Sequence, residues 1–187
     1  MADGVTALPP WRPLLRAARE REGRSPAARW LQLATVAADG TPRVRTLVFR
    51  GWADGAALDL LTDGRSAKLV ELRQQPAVEL CWLLPKARCQ FRLRGAVLNL
   101  PTEVELDERQ RLSPEGRALW GWPEPGAPFD AAASFPAELV DDTALPEHFH
   151  LLRIGLEQVE LLELGGHPHQ RRRWRREGRW SEECLNP

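Results

Sequence analysis

The sequence predicts a mainly β fold, an antiparallel β-barrel with a few peripheral helices, in one domain spanning 1–187. Three observations predict it. Short runs alternate apolar and polar residues with the period of strands. Turn signals separate them at hairpin spacing: Asp39-Gly40, Asp54-Gly55, Pro85-Lys86 and Gly165-Gly166. Helical patterns are few and lie between strands rather than alternating with them, which favours a closed antiparallel sheet without exposed edges.

The elements follow in order. Pro9-Pro10-Trp11 leads into an amphipathic helix over Leu14 to Glu22, ended near Gly23, and residues 1–25 form an N-terminal helical arm. From Trp30, Leu31, Leu33 and Thr35 alternate with Gln32, Ala34 and Val36. The return strand, Arg43 to Arg50, puts Arg43, Arg45, Leu47 and Phe49 on one face and Val44, Thr46, Val48 and Arg50 on the other. Leu58 to Thr62 is a third strand. Asp63 or Ser66 can cap a helix running to about Gln75, where Pro76 stops it. Val78 to Leu84 and Cys89 to Leu100 read as a long hairpin, with Cys81 and Cys89 facing each other across its turn. Thr102 to Leu112 reads as helix. Ser113-Pro114-Glu115 starts another, carrying Arg117 and Trp120. Residues 121–146 form a proline-rich connection whose length suggests a role of its own. Strands resume over Phe149 to Ile154 and Val159 to Leu164, and two short strands carrying Trp174 and Trp180 close the chain.

Composition narrows the function. The 26 basic and 26 acidic residues cancel, so no whole-chain attraction to nucleic acid or anionic membrane is expected, and any anion site must be local. The most apolar stretch, Val78 to Leu84, contains Glu79 and is too short to span a bilayer. No signal-peptide pattern is read at the start, and a reduced, cytoplasmic setting is expected. None of the three cysteines sits in a CxxC motif, and the histidine pairs at His148/His150 and His167/His169 lack accompanying ligands, so no metal site is expected.

Two segments carry candidate chemistry. Arg43, Arg45 and Arg50 sit on an otherwise apolar strand. Asp63-Gly64-Arg65-Ser66-Ala67-Lys68 places a hydroxyl, two cations and free backbone N–H groups at a helix start, an arrangement suited to phosphate. One hairpin joins the segments, so together they could hold a phosphate dianion. A solvated arginine edge beside an ordinary helix cap is the alternative.

The segments LATVAADGTPRVRTLVFRGW, LDLLTDGRSAKLVEL, CQFRLRGAVLNL and RRRWRREGRWSEECLNP, in this order, resemble the pyridoxamine 5'-phosphate oxidase family of FMN-binding split barrels. The likeness runs from Pro10 to Pro187 and is nearest to the branch with a tryptophan-proline-x-proline-glycine loop, here Trp122 to Gly126. The resemblance implies a homodimer with FMN bound between subunits. It assigns Arg45 to the FMN phosphate and ribityl chain, and Thr46, Leu47 and Val48 to the strand beside the flavin ring. Leu61 and Thr62 become further contacts, Ser66 and Lys68 phosphate ligands, Gln90 a flavin hydrogen-bond partner, and Arg173 a residue from the second subunit. Residues 165–187 then lie at the dimer and cofactor site.

On the substrate side the chain departs from the family. Ala67 stands where the oxidases carry arginine, with Arg65 available to stand in. Leu162 falls at the tryptophan near the flavin, and no tyrosine exists for the substrate site. Arg50 matches a substrate-side lysine, Arg117 falls near the arginine for substrate phosphate, and His169-Gln170-Arg171 carries the family's Arg-x-His pair exchanged. The resemblance implies a flavin enzyme with no catalytic side chain of its own, oxidising pyridoxamine or pyridoxine 5'-phosphate, or a related small amine or alcohol, with O2. The alternatives are a flavin reductase using a nicotinamide cofactor, and a non-enzymatic FMN- or nucleic-acid-binding module built on the arginine-rich tail.

Overall fold

The computed structural model describes residues 8–99, 111–140 and 147–187. Eight strands form one sheet: β1 (Trp30–Val36), β2 (Pro42–Trp52), β3 (Ala57–Asp63), β4 (Ala77–Leu84), β5 (Cys89–Val97), β6 (Phe149–Glu163), β7 (Gln170–Glu177) and β8 (Arg179–Leu185). They lie in the order β3-β2-β1-β4-β5-β6-β7-β8, and β3 also pairs with β6. That pairing closes six strands, β1 to β6, into an antiparallel barrel, from which β7 and β8 project as an extension.

The closure depends on the length of β6, which runs unbroken through fifteen residues where the sequence pattern suggests two shorter strands. Its first half pairs with β3, from Phe149 opposite Asp63 to Gly155 opposite Ala57. Its second half pairs with β7, from Gln158 opposite Arg175 to Glu163 opposite Gln170. Gly155 reads as a breaker in the sequence, yet the strand continues through it beside a bulge at Arg94/Gly95. A Cβ on Gly95 would lie 2.0 Å from the Gly155 carbonyl oxygen, so the two backbones come together only because Gly95 has no side chain.

The barrel interior is filled by alternate residues of each strand. Leu31, Leu33, Leu80, Trp82, Phe91, Leu93, Ile154 and Val159 are among the fully buried side chains. Each contributes roughly 1.5–3 kcal/mol by leaving water. Helix α1 (Trp11–Glu22) begins directly after Pro10, three residues before the amphipathic pattern suggests, because Trp11 is itself core and packs against Trp52 and Trp180. Gly23 ends it with φ at 60°. A short 3-10 turn (Pro26–Ala28) follows, and the Ala27 carbonyl accepts from the Trp82 indole at 2.8 Å.

Strand β3 is buried on both faces. Its inner face meets the main core. Leu61 on its outer face joins Trp120, Phe149 and Leu151 in a satellite cluster. Asp59 on this strand is buried and held by two 2.8 Å hydrogen bonds from Arg153 of β6. Helix α2 (Ala67–Gln74) follows β3. Helix α3 (Pro114–Arg117) is one turn, capped by the Ser113 hydroxyl, and Trp120 sits on the 3-10 turn after it (Ala118–Gly121) rather than on the helix.

The helix expected over 102–112 falls largely on residues outside the described ones. Cys81 lies opposite Arg92 and Cys89 opposite Leu84, so the two thiols do not face each other, and all three cysteines are free. Among the described residues no helix is long and apolar enough to cross a membrane, and no three His, Cys, Asp or Glu side chains are grouped to hold a metal.

Candidate functional site

Strands β2 and β3 form one wall of a cavity of about 520 Å³, and the segment from Leu119 to Phe135 forms the other. Thr46, Leu47, Val48 and Arg50 line it from β2, Leu61 and Thr62 from β3, and Lys68 from α2. These seven are all residues singled out in the sequence. The hairpin between β2 and β3 explains why they meet: adjacent antiparallel strands bring positions 46–50 beside 61–62, and the turn at Asp63-Gly64 aims α2 at the same end.

At that end lies a compact polar cluster. Lys68 Nζ donates to the Thr62 and Ser66 hydroxyls, each at 2.8 Å. Thr62 and Ser66 are buried. Ser66 occupies the cap position of α2, but its hydroxyl donates to the Asp63 carbonyl at 2.6 Å instead of accepting from the helix. The first N–H groups of α2 therefore have no side-chain cap. Lys68 has no carboxylate within ion-pair distance among the described residues. Burial lowers its pKa, and the nearby Arg45 charge lowers it further, against opposing effects of Asp63 and Glu71. A half-buried ammonium held only by hydroxyls, beside an arginine and a helix start, is a site that an oxyanion would stabilise.

Arg45 does not line the cavity. It projects from the inner face of β2 onto α2, where its Nη2 lies 2.8 Å from Glu71 Oε2, and it also bonds the Thr35 hydroxyl. Burial alone would raise the Glu71 pKa. Hydrogen bonds from Thr35 and Arg45, with the Arg45 and Arg43 charges, reverse that, and Glu71 stays below the ordinary carboxylate range.

Arg65 is likewise committed elsewhere. It grips Asp63 through Nε at 3.0 Å and Nη2 at 2.7 Å, and the same Nη2 donates to the Trp122 carbonyl at 3.0 Å. Its role here is to fasten the proline-rich loop to the end of β3. The Trp122 indole in turn donates to the Pro136 carbonyl at 2.9 Å, and Trp122 and Phe129 both pack against Phe135. The Trp120 indole donates to the Thr62 carbonyl at 3.3 Å, and His148 bonds the Trp120 carbonyl at 3.0 Å. The loop thus presents an aromatic wall to the cavity although Phe129 itself is 82% exposed. The sequence signal for this wall is the tryptophan-proline pattern at Trp122; nothing in the pattern identifies Phe129 or Phe135.

The other sequence candidates lie apart from the cavity in a single chain. Gln90 on β5 is half-buried and sits beside Leu162 of β6, which in turn faces Arg171 of β7. His169 is exposed just before β7. Arg117 is buried, with Nε donating to the Leu112 carbonyl at 3.1 Å, and does not reach the cavity. Part of the arginine-rich tail is paired along β7: Arg171 with Glu160, Arg172 with Glu163, and Arg173 with Glu183 and Glu160. Cys89 is buried, and burial pushes its thiol up to about 11, which disfavours the reactive thiolate.

The cavity thus joins an apolar and aromatic wall to a hydroxyl-lined, cationic end at Lys68. The pyridoxamine 5'-phosphate oxidase FMN-binding domain matches residues 8–100. The chain is 31% identical to pyridoxine/pyridoxamine 5'-phosphate oxidase 2 of Arabidopsis thaliana over 169 residues, covering 85% of each protein. It is 30% identical to the pyridoxine/pyridoxamine 5'-phosphate oxidase of Salinibacter ruber over 171 residues, 84% of this chain and 79% of that one. Among solved structures, a pyridoxamine 5'-phosphate oxidase-related, FMN-binding protein from Nostoc punctiforme superposes with a TM-score of 0.83. Its sequence identity is 36%, and the match covers 97% of this chain and all of that one, 100%. PhzG from Burkholderia lata shares the fold at 22% identity, with a TM-score of 0.73 over 94% of this chain and 89% of that one.

Proposed function

The chain belongs to the pyridoxamine 5'-phosphate oxidase family of FMN-binding proteins, and from that premise we propose that it is an FMN-dependent oxidase of a small amine or alcohol, with phosphorylated B6 vitamers as the first candidates. The observation that carries the reading is the joining of the Lys68–Ser66–Thr62 cluster to the β2 wall and aromatic loop in one cavity.

Bound FMN supplies the two-electron chemistry. Every other task falls to the chain. Lys68, Ser66 and the free N–H groups at the start of α2 hold the phosphate, with Arg45 adding positive charge beside them. Thr46, Leu47 and Val48 of the cavity wall would hold the ring, with Leu61 and Thr62 beside them. Trp122, Phe129 and Phe135 exclude water from the reacting face. Arg50 offers a cation to an anionic substrate group.

We place the remaining contacts in a second copy of the chain. Gln90 on β5, Arg171 and Arg173 on β7, and His169 just before β7 do not line the cavity of their own protomer, and a homodimer would deliver them to the neighbouring cavity. The buried Arg117 supports a narrower conclusion: the substrate's anion is held without it.

The test is direct. Purified protein loaded with FMN should release hydrogen peroxide when given pyridoxamine or pyridoxine 5'-phosphate. A flavin-loaded dimer without such turnover would overturn the substrate assignment and leave the flavoprotein reading intact. Bleaching by NADPH without vitamer oxidation would favour a reductase.

A further inference from the structure

A second concave surface runs along α1 and the segment that follows it, with Trp52 of β2 at its edge. It encloses about 790 Å³ and is lined by Arg12, Arg16, Arg19, Arg24 and Arg29, with Trp52 at one end. Among the described residues that line it the only acid is Glu20, which is already paired with Arg16 at 2.8 Å.

Two of these arginines are fixed from within. Arg19 donates to the Ala28 carbonyl at 2.9 Å and lies over the rings of Phe49 and Trp82. Arg12 donates to the Asp54 and Gly55 carbonyls at 2.9 and 2.7 Å and lies 3.7 Å from the Trp52 ring centroid. Carbonyls and ring faces orient these cations without neutralising them. The guanidinium groups of Arg24 and Arg29 have no hydrogen-bond or ion-pair partner among the described residues. Arg29 precedes β1 and is bonded through its carbonyl to the Phe49 N–H at 2.8 Å, next to Arg50 on β2.

We propose that this groove binds a small, multiply charged oxyanion, a phosphate or pyrophosphate ester, through Arg19, Arg24 and Arg29, separately from the flavin cavity. Three like charges converge on a concave surface of a chain whose formal net charge is +0, so the excess is local. The charges feel one another. Burial lowers the pKa of Arg19 and of Arg50, and the Arg29 charge lowers each further. A dianion between them replaces this repulsion with charge-assisted hydrogen bonds. A concavity of about 790 Å³ suits a small ligand better than a polymer. Arg50 also lines the flavin cavity, so the groove and the cavity share an electrostatic border.

The experiment is calorimetric titration of FMN-saturated protein with sodium pyrophosphate at low ionic strength, repeated with the Arg24→Gln/Arg29→Gln double variant. One saturable site per protomer is expected, weakened about tenfold or more in the variant, with flavin content and melting temperature unchanged. Arg29→Lys, which keeps the charge, should retain most of the affinity. The proposal is overturned if pyrophosphate gives no saturable heat, or if the double variant binds it as the wild type does. It is equally overturned if the signal disappears in Lys68→Ala instead, or if only a long polyanion such as heparin binds.

Discussion

Arg45 on β2 and Glu71 on α2 are joined by an ion pair of 2.8 Å, with Glu71 buried. This bond ties the strand that carries the cavity wall to the helix that carries Lys68. Replacing Glu71 by Gln should cost about 2 kcal/mol of stability at neutral pH, the size of a charge-assisted hydrogen bond in a protected place. The pH dependence has a definite sign. The folded pKa of Glu71 lies below its ordinary value, so its contribution is present above the ordinary carboxylate range and is lost as pH falls through the folded value. Denaturant melts at successively lower pH should therefore bring the wild type and Glu71→Gln together. A constant difference down to the acid limit would contradict the pair's role.

Lys68 behaves in the opposite sense. Its folded pKa is lowered, so in the FMN-free protein the buried charge opposes folding, and stability should rise as pH climbs through the folded value. Phosphate binding needs the charged form. FMN affinity should accordingly decline with rising pH before the ordinary lysine range is reached. Fluorescence titrations between neutral and alkaline pH check this, and Lys68→Met should remove the dependence.

Arg65 fastens the Trp122 carbonyl to Asp63. Arg65→Ala should leave FMN affinity within about threefold but loosen the aromatic wall. The expected signatures are faster proteolysis between 122 and 136 and a KM raised about tenfold, the worth of one hydrogen bond to a charged group. A collapse of FMN affinity without loop cleavage would return Arg65 to the phosphate site.

Gly95 cannot carry a side chain where its Cβ would meet the Gly155 carbonyl at 2.0 Å. Gly95→Ala should cost about 3 kcal/mol by forcing β5 from β6. Gly40→Ala is a useful contrast, since nothing lies within 4 Å of its Cβ and only its φ of 78° resists substitution. Equal destabilisation of the two variants would contradict the close approach.

Much of this was legible in the sequence. The period of two and the hairpin turns predict the barrel strands, and the polar end of the cavity is local enough to be read from Thr62 to Lys68. Three features were not legible. The unbroken β6 is hidden because Gly155 looks like a stop, and only the approach of Gly95 explains it. The engagement of Arg45 with Glu71 joins residues 26 positions apart, and no local pattern pairs them. The aromatic wall depends on how a loop without regular structure folds back, which composition does not determine.

The measurement that bears most directly on the central claim is an FMN titration of the wild type against the Arg45→Ala/Lys68→Ala variant, followed by flavin fluorescence. The predicted result is one FMN bound per protomer in the wild type, with affinity lowered by about a hundredfold or more in the variant, as the Lys68 contact and the Arg45 charge beside it are both lost. Equal affinity in the two proteins, or no uptake of FMN by the wild type, would contradict the placement of the phosphate at the start of α2.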